Sequence, residues 1–202
     1  RLKSHPFPFE HPYVSLLRAM PDLIDINPLV VKDIGHMLQN LGAKGIIEGC
    51  ERPPDLNRQM GHSFHSWLKR YFPSKGYKFL DEYSFGTYDG NCFLSGGDKR
   101  LTTYANQYLG CKLSRNRDML AKVNGQYIVA EARFLSSGGG SQSRDVREAI
   151  AFVEGKAGKA TRIAILDGMT WFDDDMLNVI KSLDDEVGLS ALLLEDYFNS
   201  LR

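Results

Sequence analysis

At 202 residues, with 43% apolar and 25% charged side chains, the chain has the make-up of a soluble globular protein with one substantial core. Lys+Arg and Asp+Glu both number 25, so the formal net charge is zero. That excludes a protein held to nucleic acid by net charge alone, but not one with a locally basic cleft. Three widely spaced cysteines (Cys50, Cys92, Cys111) form no CxxC pair; they signal neither a disulfide framework nor a zinc knuckle, and reduced thiols in a cytoplasmic protein are expected.

No apolar run approaches the roughly 18 residues of a membrane-spanning helix, and no signal-peptide pattern opens the chain. Charge is uneven along it. Lys99 and Arg100, then Lys112, Arg115 and Arg117, then Arg144 and Arg147 form basic clusters, while Asp173, Asp174, Asp175, Asp184, Asp185 and Glu186 crowd the C-terminal part.

Pro6, Pro8 and Pro12 predict an extended arm. From Val14 to about Gly45 the pattern is helical: Leu29, Val30, Ile34, Leu38 and Leu41 recur at helical spacing, and Gly42 follows as a C-cap. Pro53-Pro54 breaks the chain. Asp55 can cap a helix running to Tyr71, whose Phe64, Trp67, Leu68 and Tyr71 make an apolar stripe. Lys78 to Phe85 alternates as a strand does. Residues 86–97 are turn-rich, and 101–109 fit a strand or a short helix equally.

Asp118 to Val123 and Gln126 to Phe134 flank Asn124-Gly125, the preferred dipeptide of a two-residue type I′ hairpin. A Gly/Ser loop over residues 136–141 follows. A helix over about 143–156, a short apolar strand over 162–166 and a helix over 173–183 come next. Residues 189–194 fit a last strand or a buried helix. The order predicts one mixed α/β domain with a mainly helical layer over 1–75 and an α/β core over 76–202.

With Asn124 and Gly125 as the loop, Val123 faces Gln126 and Asp118 falls opposite Glu131; Arg133 shares the face of Glu131 because side chains alternate along a strand. Facing carboxylates repel each other. Protonation, a nearby cation or a shared metal relieves the repulsion. Two readings are open. The acids can be a solvated hairpin end balanced by Arg133, or a seat of hard oxygen ligands suited to Mg²⁺, with the Ala132 carbonyl as a further ligand.

Asp118, twelve residues, then Glu131-Ala132-Arg133 resembles the PD-(D/E)XK nuclease superfamily, and type II restriction endonucleases in particular. The stretch RDMLAKVNGQYIVAEARF with its Gly-rich loop and Gln142 extends the likeness, as does NRQMGHSFHSWL upstream. It covers roughly residues 78–168. The resemblance implies a restriction-endonuclease-like core: a central mixed sheet flanked by helices beneath the N-terminal helical layer.

It also implies Mg²⁺-dependent, sequence-specific hydrolysis of double-stranded DNA by a homodimer, in which Asp118 and Glu131 hold the metal. The family motif has Lys where this chain has Arg133. Arginine keeps the charge and can grip a phosphate, but it cannot act as a base. A DNA-binding or partner-binding protein on the same fold, with catalysis impaired at Arg133, is therefore the alternative.

Other candidates divide as follows. Ser141, Gln142, Arg144 and Arg147 lie just past the acidic strand and are candidates for base and phosphate contacts; a solvated helix start is the plainer reading. Lys112, Arg115 and Arg117 precede Asp118 and would flank DNA in the site. His62 and His65 are spaced for a metal, but no third ligand is in view, so ordinary helix histidines are expected. Gly138-Gly139-Gly140 lacks the Lys-Ser/Thr of a phosphate loop, and Ser136 and Ser137 lack a histidine partner.

Overall fold

In the computed structural model, which describes residues 7–9, 11–51, 56–135, 140–155, 157–172, 174–181 and 187–201, Asn124 and Gly125 take φ of 48° and 81°. Both central residues of a type I′ turn need such positive values. The turn joins β3 (Met119–Val123) to β4 (Gln126–Leu135). The pairing runs from Val123↔Gln126 to Met119↔Ala130, the register expected from the sequence.

Around this hairpin the sheet has six strands in sequential order. β1 (Lys78–Leu80) is parallel to β2 (Cys92–Leu94), and β2 is antiparallel to β3. On the other side, β4 is parallel to β5 (Ala160–Gly168), and β5 to β6 (Val187–Leu189). Alternation along the central strands divides the core into two layers. Leu120, Val129, Ala164 and Leu166 face one way, against α6 (Asp98–Leu109) and α7 (Gly140–Val153). Met119, Ile128, Ala130, Ile163 and Ile165 face the other, against α4 (Leu56–Tyr71) and α9 (Leu194–Ser200). Each fully buried Leu, Val, Ile or Met among them contributes about 1.5–3 kcal/mol, so the hairpin is held from both faces.

Two expectations change. The strand over 78–85 stops at Leu80, because the Asp81 side chain accepts from the Ser84 N–H at 2.8 Å and caps a short helix, α5 (Glu82–Thr87). The turn-rich stretch contains β2, whose three residues are all buried and so show no alternation. Residues 101–109 resolve as α6. The helical layer comprises α1 (Pro12–Ala19), α2 (Leu23–Ile26) and α3 (Pro28–Glu51), and α3 is broken at Gly42, where φ is 67°. A short helix, α8 (Asp174–Lys181), follows β5. The Pro53-Pro54 break, Asp55 and loop residues 136–139 lie outside the described residues. Among the described residues no helix is long and apolar enough to cross a membrane.

Candidate active site

Asp118 stands immediately before β3. Its backbone N–H donates to the Ala130 carbonyl at 3.0 Å, and its Oδ2 accepts from the Ala132 N–H at 2.8 Å. The acid is thus tied to β4 on both sides of Glu131. Burial pushes the Asp118 carboxyl above the ordinary aspartate range. The Ala132 N–H and Arg133 pull against that shift, while Asp98 and Glu131 add to it.

Glu131 is almost fully buried, at 2% exposure. Its two oxygens accept from Arg117 Nη1 and Arg133 Nη2. A carboxylate so deep in a core must be paired, and here two guanidinium groups share it. Arg133 also donates to the Ala132 carbonyl at 3.3 Å. The two acids therefore do not meet carboxylate to carboxylate as a bare facing pair: Asp118 turns to the β4 backbone and Glu131 to the arginines.

Arg117 is not on the rim, where the sequence placed it beside DNA. It is 5% exposed, lies 4.1 Å over the Phe152 ring and donates its backbone N–H to Thr102 Oγ1 at 2.8 Å. Burial lowers its pKa, and the Glu131 charge works against that. Its Nε is buried and finds no acceptor among the described residues. The three apolar residues after Asp118 gave no sign that the cation before it turns inward.

The other basic candidates stay outside. Arg115 Nη1 and Arg144 Nε both donate to Glu148, the latter at 3.0 Å, so the loop before β3 adjoins α7. Lys112 and Arg147 are exposed. Ser141 and Gln142 fall in the first turn of α7; their side chains, like that of His62, lie outside the described residues.

One group was missed in the sequence. His65 Nε2 lies 3.1 Å from Asp98 Oδ1, and His65, Asp98 and Asp118 each bring a ligand atom to within 4.8 Å of the others. The third ligand that His65 lacked in the sequence is supplied by distant segments. α4 packs on one face of the sheet and α6 on the other. His65, from the body of α4, and Asp98, the first residue of α6, come together beside Asp118, where β2 has already ended at Leu94.

A mixed sheet with acids and arginines at the open end of its central hairpin, and a histidine of α4 beside them, defines a nuclease-like class of protein. The sequence matches the Tsp45I type II restriction enzyme family over residues 1–201, and the chain belongs to that family. No curated protein and no solved structure matches it. The chain is a sequence-specific restriction endonuclease, a site-specific deoxyribonuclease acting on DNA, in keeping with the PD-(D/E)XK resemblance and the fold expected from it.

Proposed function

We propose that this endonuclease hydrolyses double-stranded DNA at the open end of the β3–β4 hairpin. Asp118 and Glu131, with the Ala132 carbonyl, are its divalent-cation ligands, and Mg²⁺ is the ion. One observation carries the reading: the Arg133 guanidinium bridges Glu131 and the Ala132 carbonyl one residue from the Ala132 N–H that holds Asp118. Positive charge already sits among these oxygens. The donor set is all hard oxygen, which suits Mg²⁺. A bound ion would polarise the scissile phosphate and acidify the attacking water.

The residues divide the remaining work. Arg133, half-buried and reaching outward, swings from Glu131 to the phosphate and neutralises its charge bidentately. Arg117 stays beneath Glu131 and orients it. On the rim, Arg115 and Arg144 exchange Glu148 for backbone phosphates, joined by Lys112 and Arg147, while Ser141 and Gln142 reach the DNA from the first turn of α7. Residues 1–75 and 76–202 work as one nuclease unit.

The second part of the proposal is a homodimer, whose two-fold axis would match a palindromic site. Its support is the helical layer. Ile34 is the only described residue of α3 that is buried, and Ile26, Leu29, Met37, Leu41 and Ile47 are exposed. An exposed apolar surface of this kind marks an interface.

Plasmid cleavage tests the site. Discrete cutting in Mg²⁺, abolished by EDTA, is expected. Arg133→Lys should keep cutting because it keeps the charge, and Arg133→Met should lose about a hundredfold, as removal of one transition-state donor does elsewhere. Cutting that persists in EDTA, or is indifferent to Arg133→Met, contradicts the proposal.

A further inference from the structure

We infer that His65 and Asp98 join Asp118 to form a three-ligand cation site of one nitrogen and two carboxylates, and that this site binds Mn²⁺ more tightly than the Mg²⁺ that supports cleavage. The inference rests on Asp118 being a cation ligand, and it changes the ligand set: the helices α4 and α6, not only the hairpin, hold the ion.

The geometry comes first. Octahedral ligands about 2.1 Å from an ion stand roughly 3 Å apart when adjacent and roughly 4.2 Å when opposite. The His65–Asp98 separation of 3.1 Å is the adjacent spacing. All three ligand atoms lie within 4.8 Å of one another, so a bound ion would draw Asp118 in towards the other two. Three elements supply one ligand each, and none of the three side chains is fully exposed: all are of intermediate burial.

Charge points the same way. Glu131 has both oxygens taken by arginine. Asp118 uses one oxygen on the Ala132 N–H, and Asp98 has, among the described residues, only the His65 imidazole, 3.1 Å from its Oδ1, against it. With the arginines where they stand, the carboxylates short of positive charge are Asp98 and Asp118, not Glu131. An open groove lined by Glu82, Lys99, Arg100, Thr103 and Asn116 reaches Asp98.

The donor set decides the ion. Mg²⁺ takes oxygen ligands and sheds water reluctantly. Imidazole suits first-row transition ions better than Mg²⁺, and Mn²⁺ is the member of that series that shares the preference of Mg²⁺ for carboxylates. Loss of an outer partner of a metal ligand costs 10–100-fold in affinity, so loss of a ligand itself should cost at least about tenfold.

The test is Mn²⁺ binding to the full chain without DNA, followed by electron paramagnetic resonance, with electron spin-echo modulation reporting a coordinated nitrogen. The wild type should bind Mn²⁺ tighter than Mg²⁺ and show ¹⁴N modulation. His65→Gln should lose the modulation and weaken Mn²⁺ by at least about tenfold, and Asp98→Asn should weaken it similarly while keeping the far-UV circular dichroism of the wild type. If both variants bind as the wild type does and no nitrogen signal is seen, while Asp118→Asn weakens binding, the inference is overturned and the hairpin reading stands. If Asp118→Asn also binds as the wild type does, the hairpin reading fails and takes the inference with it. The wild-type nitrogen signal requires no variant to fold, and its persistence in His65→Gln would assign it to another histidine and overturn the inference.

Discussion

Glu131 keeps a charge inside the core only because Arg117 and Arg133 meet it there. The inner arginine is the structural half of that clamp, since it is as buried as the acid. Without Arg117 the Glu131 oxygen it met is left buried without that donor, while Arg133 keeps the other; breaking a buried pair costs up to about 3–5 kcal/mol. Arg117→Met should therefore lower the unfolding free energy by up to that amount in urea denaturation. Adding Glu131→Gln should recover part of the loss, because the half-paired charge is gone; a double variant no more stable than the single one would refute the clamp. At this scale the sequence was half legible. The closeness of Glu131 and Arg133 was legible because alternation puts both on one face and the hairpin register carries Asp118 to them, whereas Arg117 lies one residue further from the turn, past Asp118, where the register gave no direction.

The hairpin is the element on which the site depends, and its turn is the part most open to a test. Gly125 has open space where a Cβ would stand, so Gly125→Ala meets no clash and reports only the cost of φ at 81°, about 1 kcal/mol. A fall in unfolding free energy of that size is expected, and none would mean the turn is not type I′. The turn was legible because Asn-Gly needs no tertiary context. β2 was not, since a strand buried on both faces loses its period, and α5 was missed because the Asp81 cap outweighed an alternating pattern.

At the far end of β5, Asp167 ties the last turn to the sheet, accepting from Ser190 Oγ at 2.5 Å and from the Ala191 N–H at 3.1 Å. Burial raises its pKa and these two bonds oppose the rise. The folded state thus holds the proton more tightly than the unfolded chain does. Stability from this group is full below the ordinary aspartate pKa and is lost as pH rises through the raised folded value. Asp167→Asn removes that slope. The melting temperature of the variant minus that of the wild type should grow as pH rises through this window and then level off; a difference that shrinks would contradict the assigned shift.

In the whole molecule, the helical layer and the sheet answer different needs. Leu29, Val30, Ile34, Leu38 and Leu41 make the stripe read from the sequence, yet Leu29, Leu41 and the neighbouring Met37 are more than a third exposed. Periodicity showed that the face exists but not what covers it. If a second copy does, Met37→Glu with Leu41→Glu should shift the mass measured by light scattering from dimer to monomer without lowering the melting temperature. A wild-type monomer would remove the dimer from the account. The convergence of His65, Asp98 and Asp118 was hidden for a related reason: their helices lie on opposite faces of the sheet, and only the strand order brings them together.

The central claim is that the acid ahead of β3 serves the chemistry. Its most direct test is the single-turnover cleavage rate of supercoiled plasmid by Asp118→Asn, in Mg²⁺ and with wild-type circular dichroism. Losing a cation ligand removes several kcal/mol of transition-state stabilisation, so the rate should fall roughly a thousandfold. A folded Asp118→Asn enzyme that cuts at the wild-type rate would contradict the account.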